Sequence, residues 1–131
     1  MDGTRLYCLR GAVCAENTEA SITAAVENMC RELFSRHGVR DAGQIVSVQF
    51  TITPDLDALN PATAFRRADS GVSPEGIPLF CAQEPAVRNM LAKVIRVMVT
   101  VYLPCGTKLE PVYLNGAEAL RPDLRLSKEP R

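Results

Sequence analysis

The stretch "KVIRVMVTVYLP", Lys93 to Pro104, reads as a β-strand of β-branched and aliphatic side chains, interrupted by an arginine at position 96. A guanidinium keeps its proton, so an unpartnered Arg96 in a sealed core is costly. Two further charges fall at expected strand ends: Arg10 closes a first strand and Glu84 a third. Two chemistries fit these residues. One is a structural ion pair between Arg96 and Glu84 or another acid. The other is a site that binds carboxylates, which the planar fork of arginine grips in bidentate fashion. On spacing alone the structural pair is the simpler account, and Glu84 would also suit a helix N-terminus opened by Pro85.

Other catalytic machinery is sparse. The sequence contains no GxGxxG, no P-loop and no HExxH. Its single histidine, His37, falls at the end of an expected helix, where interaction with the helix dipole suits it. Any Ser-His or Cys-His nucleophile pair would have to be built on that residue. Asp55 and Asp57 beside Pro54 fit turn chemistry better than a metal site. Five cysteines, an odd count without a CxxC pair, predict neither a disulfide framework nor a zinc site. They read as small buried hydrophobes. No metal and no cofactor is expected.

The 131 residues suffice for one domain, spanning 1–131, around one core. With 15 basic residues against 15 acidic ones, no overall field recruits nucleic acid or an acidic membrane. The N-terminal "MDGTRLYCLRG" lacks an apolar signal segment, and no run approaches membrane-spanning length, so a soluble, cytoplasmic protein is expected.

The elements that must position these charges follow from periodicity. A strand over Arg5–Val13 precedes a helix capped by Asn17 or Thr18 and stopped by Gly38. Ile22, Ala25, Val26, Met29, Cys30 and Leu33 give that helix an apolar stripe. Gln44–Thr53 alternates as a second strand, with Val46, Val48, Phe50 and Ile52 on its apolar face and Ser47, Gln49 and Thr51 on the other. Asn60 and Pro61 open a short helix ended by Gly71, Gly76–Glu84 forms a third strand, and Pro85 opens a helical turn to about Leu91. In the fourth strand, Ile95, Val97, Val99, Val101 and Leu103 face one way, and Arg96, Met98, Thr100 and Tyr102 the other. A short strand at Val112–Leu114 and a mobile tail over 121–131 complete the chain. The prediction is an α+β fold, a mixed sheet on one long amphipathic helix. Arg96 then lies on the sheet's second face, whose mixed character suits an oligomer interface or a ligand site.

Six segments in order carry a family resemblance: "LRGA" (Leu9–Ala12), "TPDL" (Thr53–Leu56), "CAQE" (Cys81–Glu84), "IRVMVT" (Ile95–Thr100), "VYL" (Val112–Leu114) and "LRPDL" (Leu120–Leu124). Together they resemble the AroH class of chorismate mutases, the Bacillus-type monofunctional enzymes. The resemblance implies a homotrimer shaped like an α/β barrel, with active sites at the subunit interfaces. It also implies the rearrangement of chorismate to prephenate, on the route to phenylalanine and tyrosine, without cofactor or metal. By resemblance, Arg96 donates to the substrate's ether oxygen and a carboxylate, Arg10 binds a carboxylate, and Glu84 accepts from the ring hydroxyl. Cys81 lies near that hydroxyl, Tyr113 near the ether, and Arg66 and Arg121 at the mouth with Asn60, Ala62 and Thr63. Asn60, Thr63 and Phe80 stand where the Bacillus-type enzyme has an aromatic residue, a lysine and a small hydroxyl residue. An alternative of similar architecture is a trimeric small-molecule binder or a RidA-type imine deaminase.

Overall fold

The computed structural model describes residues 3–122. Five strands form one mixed sheet: β1 (Thr4–Cys14), β2 (Ile45–Ile52), β3 (Leu79–Gln83), β4 (Val94–Pro104) and β5 (Val112–Leu114), in the order β3-β2-β4-β1-β5. Strand β4 runs antiparallel to both neighbours, whereas β2 pairs with β3, and β1 with β5, in parallel. Two helices, α1 (Glu19–His37) and α2 (Pro61–Arg67), touch each other and pack on the same face. The α+β architecture is as predicted.

Local chemistry explains the helix ends. The Thr18 side chain accepts from the Ser21 amide, so Thr18 rather than Asn17 caps α1. Asn17 instead accepts from the Asp57 and Ala58 amides and donates to the Asp57 carboxylate, tying the loop after β2 to the helix start. Gly38 ends α1 at φ 66°, in the left-handed region where a Cβ is disfavoured. Asn60 caps α2 through the Ala62 amide, and Pro61 takes the first helical position.

The stripe on α1 meets alternate residues of the sheet. Ile22, Val26, Met29, Cys30 and Leu33 are buried against Leu9, Val13, Val97 and Val99. Phe65 of α2 stands edge-on to Phe34 at 6.2 Å and tilted against Phe50 at 5.9 Å. Helix and sheet approach closely at Gly11, where a Cβ would come within 3.2 Å of Met29 and 3.3 Å of the Val112 carbonyl oxygen.

The structure corrects five details. Arg10 lies inside β1, which runs on to Cys14, rather than closing the strand. Val46 is exposed and Ile45 buried, the reverse of the expected parity, because the β2–β4 register slips between Ile45 and Ser47. That bulge inserts one residue and flips the face below it. The third strand begins at Leu79 rather than Gly76, which takes a left-handed φ of 80°. Helix α2 stops at Arg67, well before Gly71. No helix follows Pro85: the segment makes a turn, with the Met90 amide on the Val87 carbonyl, and Asn89 and Lys93 take φ of 66° and 57°. Those angles are incompatible with a right-handed helix.

Among the described residues, no helix is long and apolar enough to cross a membrane. The expected mobile tail falls, from residue 123 on, outside the described residues.

Candidate active site

The register of the sheet brings the charges together. Thr51 on β2 lies opposite Arg96 on β4, Arg96 opposite Ala12 on β1, and Ala12 opposite Tyr113 on β5. One pleat along, Gln49, Met98 and Arg10 form a parallel row on the same face. Arg10 and Arg96 are therefore diagonal neighbours across β1 and β4, a spacing of about 7–8 Å in sheet geometry. Glu84 follows β3 directly, and its amide donates to the Ile52 carbonyl at 2.7 Å, extending the β2–β3 pairing by one residue. Its carboxylate thereby reaches the same place.

These side chains line a cleft of about 350 Å³ with Gly11, Ala12, Gln49, Thr51 and Met98. That volume suits a small metabolite. The small side chain of Ala12, opposite Arg96 and two residues from Arg10, keeps the floor low between the two arginines. Within the cleft, Arg96 Nε stands 3.5 Å from Glu84 Oε2, and the Thr51 hydroxyl donates to that same oxygen. The pair is looser than a charge-assisted hydrogen bond, and the Arg96 side chain remains 51% exposed. Two guanidiniums thus face one carboxylate, leaving the cleft with positive charge to spare. Tyr113, at the far end, accepts a 3.5 Å hydrogen bond from Arg121 Nη1, whose guanidinium lies 5.9 Å from the ring centre.

The fold assembles Arg10, Glu84, Arg96 and Tyr113 from the expected set and brings Arg121 beside them. It does not bring the others to this chain's cleft. Asn60, Ala62, Thr63 and Arg66 belong to α2 and its cap, on the helix-covered side. Cys81 pairs with Phe50, packs against the core, and has its thiol pKa raised by burial. Its neighbour Phe80 projects to the open side and is 62% exposed. Gln49, Thr51 and Met98 were on the correct face by alternation but, being uncharged, carried no mark of the site. Ala12, two residues from Arg10, lines the cleft with an equally unmarked side chain.

The remaining candidates serve structure. His37 bonds the Leu33 carbonyl through Nδ1 at 2.7 Å and accepts the Glu110 amide on Nε2 at 2.9 Å. It bridges α1 to the chain entering β5, which goes beyond a dipole interaction. Asp55 accepts from the Thr53 hydroxyl and twice from the Lys93 amide, joining the end of β2 to the start of β4. All five cysteines are free thiols, but only Cys30 is the buried small hydrophobe expected; Cys14 and Cys81 are half-buried, and Cys8 and Cys105 are exposed. Burial pushes the Cys30 thiol pKa up to about 12, and burial, then the nearby Glu118 carboxylate, raises that of Cys14. Among the described residues, no group of three or more His, Cys, Asp or Glu side chains is placed to hold a metal ion.

The chain as a whole has known relatives. The family model for type I chorismate mutases matches residues 6–124. The chorismate mutase AroH of Bacillus subtilis is 33% identical over 122 residues, covering 92% of this chain and 93% of that protein. Its counterpart from Thermus thermophilus is 31% identical over 118 residues, covering 88% and 93%. A solved chorismate mutase from Clostridium thermocellum superposes with a TM-score of 0.74 at 32% identity, covering 86% of this chain and 98% of that one. These matches favour the mutase over a non-catalytic trimeric binder or an imine deaminase. The chain belongs to the type I chorismate mutase family.

Proposed function

We propose that the cleft of Arg10, Glu84, Arg96 and Tyr113 is where this chorismate mutase, an isomerase, turns chorismate into prephenate on the route to phenylalanine and tyrosine. The observation that carries the assignment is the convergence of two arginines and one acid on a single cleft. The reaction breaks an ether C–O bond while a C–C bond forms in the same molecule, so it needs neither a nucleophile nor a proton transfer. A protein accelerates it by holding the folded conformer and stabilising negative charge that grows on the ether oxygen. A millionfold acceleration needs only about 8 kcal/mol.

Each residue has a place in that scheme. Arg96 meets Glu84 through Nε, and in this scheme its terminal nitrogens meet the ether oxygen and a carboxylate. Arg10 takes a substrate carboxylate, Glu84 accepts from the ring hydroxyl, and Tyr113 adds a hydrogen bond on the ether side. The excess of positive charge matches a dianionic substrate.

A homotrimer completes the site in this reading. Leu6, Val46, Phe80, Met98 and Tyr102 expose apolar surface on the open face, more than one isolated chain comfortably leaves to water. A neighbouring copy would cover it and bring Asn60, Ala62, Thr63, Arg66 and Cys81 to the mouth. Light scattering should return three times 14.3 kDa. A single-chain mass at micromolar concentration removes the shared site. For the reaction itself, the purified protein should consume chorismate, followed by its ultraviolet absorbance. Unchanged consumption by an Arg10→Ala, Arg96→Ala double variant would place the chemistry elsewhere.

A further inference from the structure

Glu84 has a second partner besides Arg96. The Thr51 hydroxyl, one strand away on β2, donates to Glu84 Oε2, the same oxygen that faces Arg96 Nε. Thr51 lines the cleft and sits in register between Arg96 and Ala82, so its side chain stands in the row that Glu84 adjoins. A β-branched residue in a strand has few χ1 options, so the hydroxyl is held where the carboxylate must come. Without it, the Glu84 carboxylate would rest on one loose ion pair at 3.5 Å and could rotate.

We propose that Thr51 is a positioning residue for the reaction: it fixes the rotamer of Glu84. With Oε2 occupied by Thr51 and Arg96, Oε1 is left to accept from the substrate's ring hydroxyl. The same contact sets Arg96, because a Glu84 that turned away would free Nε and let the guanidinium swing. Thr51 itself touches no reacting atom in this scheme. The inference rests on the role given to Glu84 above, and its test separates the two.

Four variants are compared in steady-state chorismate turnover: Thr51→Val, Thr51→Ser, Glu84→Ala and the double variant Thr51→Val with Glu84→Ala. Valine keeps the shape and strand preference of threonine and removes only the hydroxyl, so the fold should hold; thermal unfolding checks this. Loss of a hydrogen bond to a charged group predicts about a tenfold fall in kcat for Thr51→Val, with KM changed far less. Thr51→Ser, which keeps the hydroxyl, should restore most of the rate. In the Glu84→Ala background, Thr51→Val should cost nothing further, since the group it positions is gone. Parental turnover in Thr51→Val alongside an impaired Glu84→Ala overturns the positioning role and leaves the Glu84 assignment intact. A full, additive loss in the double variant shows that Thr51 acts through something other than Glu84. Parental turnover in Glu84→Ala overturns the Glu84 assignment and the inference with it.

Discussion

Strand β4 carries two surfaces that differ in almost every respect. Ile95, Val97, Val99, Val101 and Leu103 point under the helices and are almost wholly buried. Arg96, Met98 and Tyr102, one residue out of phase, point to the open side and keep much of their surface exposed. The covered face secures the fold by removing apolar area from water. The open face contributes little of that, and so it can hold charges in excess of their partners. Arg96 escapes the cost of burial because its side chain is half exposed, with Glu84 beside it. A period of two lets one strand supply both, and the covering helices alone decide which face is which.

The comparison predicts that damage to the two faces will separate stability from turnover. On the covered side, Phe34→Ala removes a ring that is 1% exposed and packs on Phe65. It should lower unfolding free energy by about 3–5 kcal/mol in a denaturant titration, while the molecules that remain folded keep near-parental kcat. On the open side, Arg96→Lys should leave the denaturation midpoint almost unmoved and reduce kcat by about 100- to 1,000-fold, or roughly 3–4 kcal/mol. A lysine ammonium is a point charge and cannot span ether oxygen and carboxylate as a planar fork does. If Arg96→Lys keeps kcat within a few-fold of the parent, Arg96 only balances Glu84.

A smaller effect concerns Cys30, in the covered core. Its thiol is held protonated to about 12 in the folded chain, against 9.0 for an unperturbed thiol. A raised folded pKa gives stability that is present below the unfolded value and lost as pH climbs through the folded one. Unfolding free energy should therefore fall by roughly 1 kcal/mol per pH unit above 9.0 from this group. Cys30→Ala should flatten that slope, measured by urea titrations from about pH 8 to 11. An unchanged slope would assign alkaline loss to other groups.

Much of this arrangement was legible in the sequence. Alternation in "KVIRVMVTVYLP" set the parity of β4, and with it the face of Arg96. Thr18, Gly38, Asn60 and Pro61 marked helix ends by chemistry that acts within a few residues. What escaped depends on distant partners. The bulge at Val46 leaves no local signature, because slipping against β4 is a property of the pair. The segment after Pro85 looked helical, but Asn89 and Lys93 take left-handed angles, and Asp55 holds the Lys93 amide from another part of the chain. The convergence of Arg10, Glu84 and Arg96 came from strand order, which alternation does not give. Only the family resemblance ranked them above a simple ion pair.

The central claim is that rate comes from fixed charges placed by the fold, with no proton exchanged. Its most direct test is kcat at saturating chorismate across about pH 6 to 8. No histidine lines the cleft, and the single His37 is committed to the Leu33 carbonyl and the Glu110 amide. The account predicts a flat profile in that range. A bell with limbs near neutrality would mean that a group in the cleft gives or takes a proton, and would contradict it.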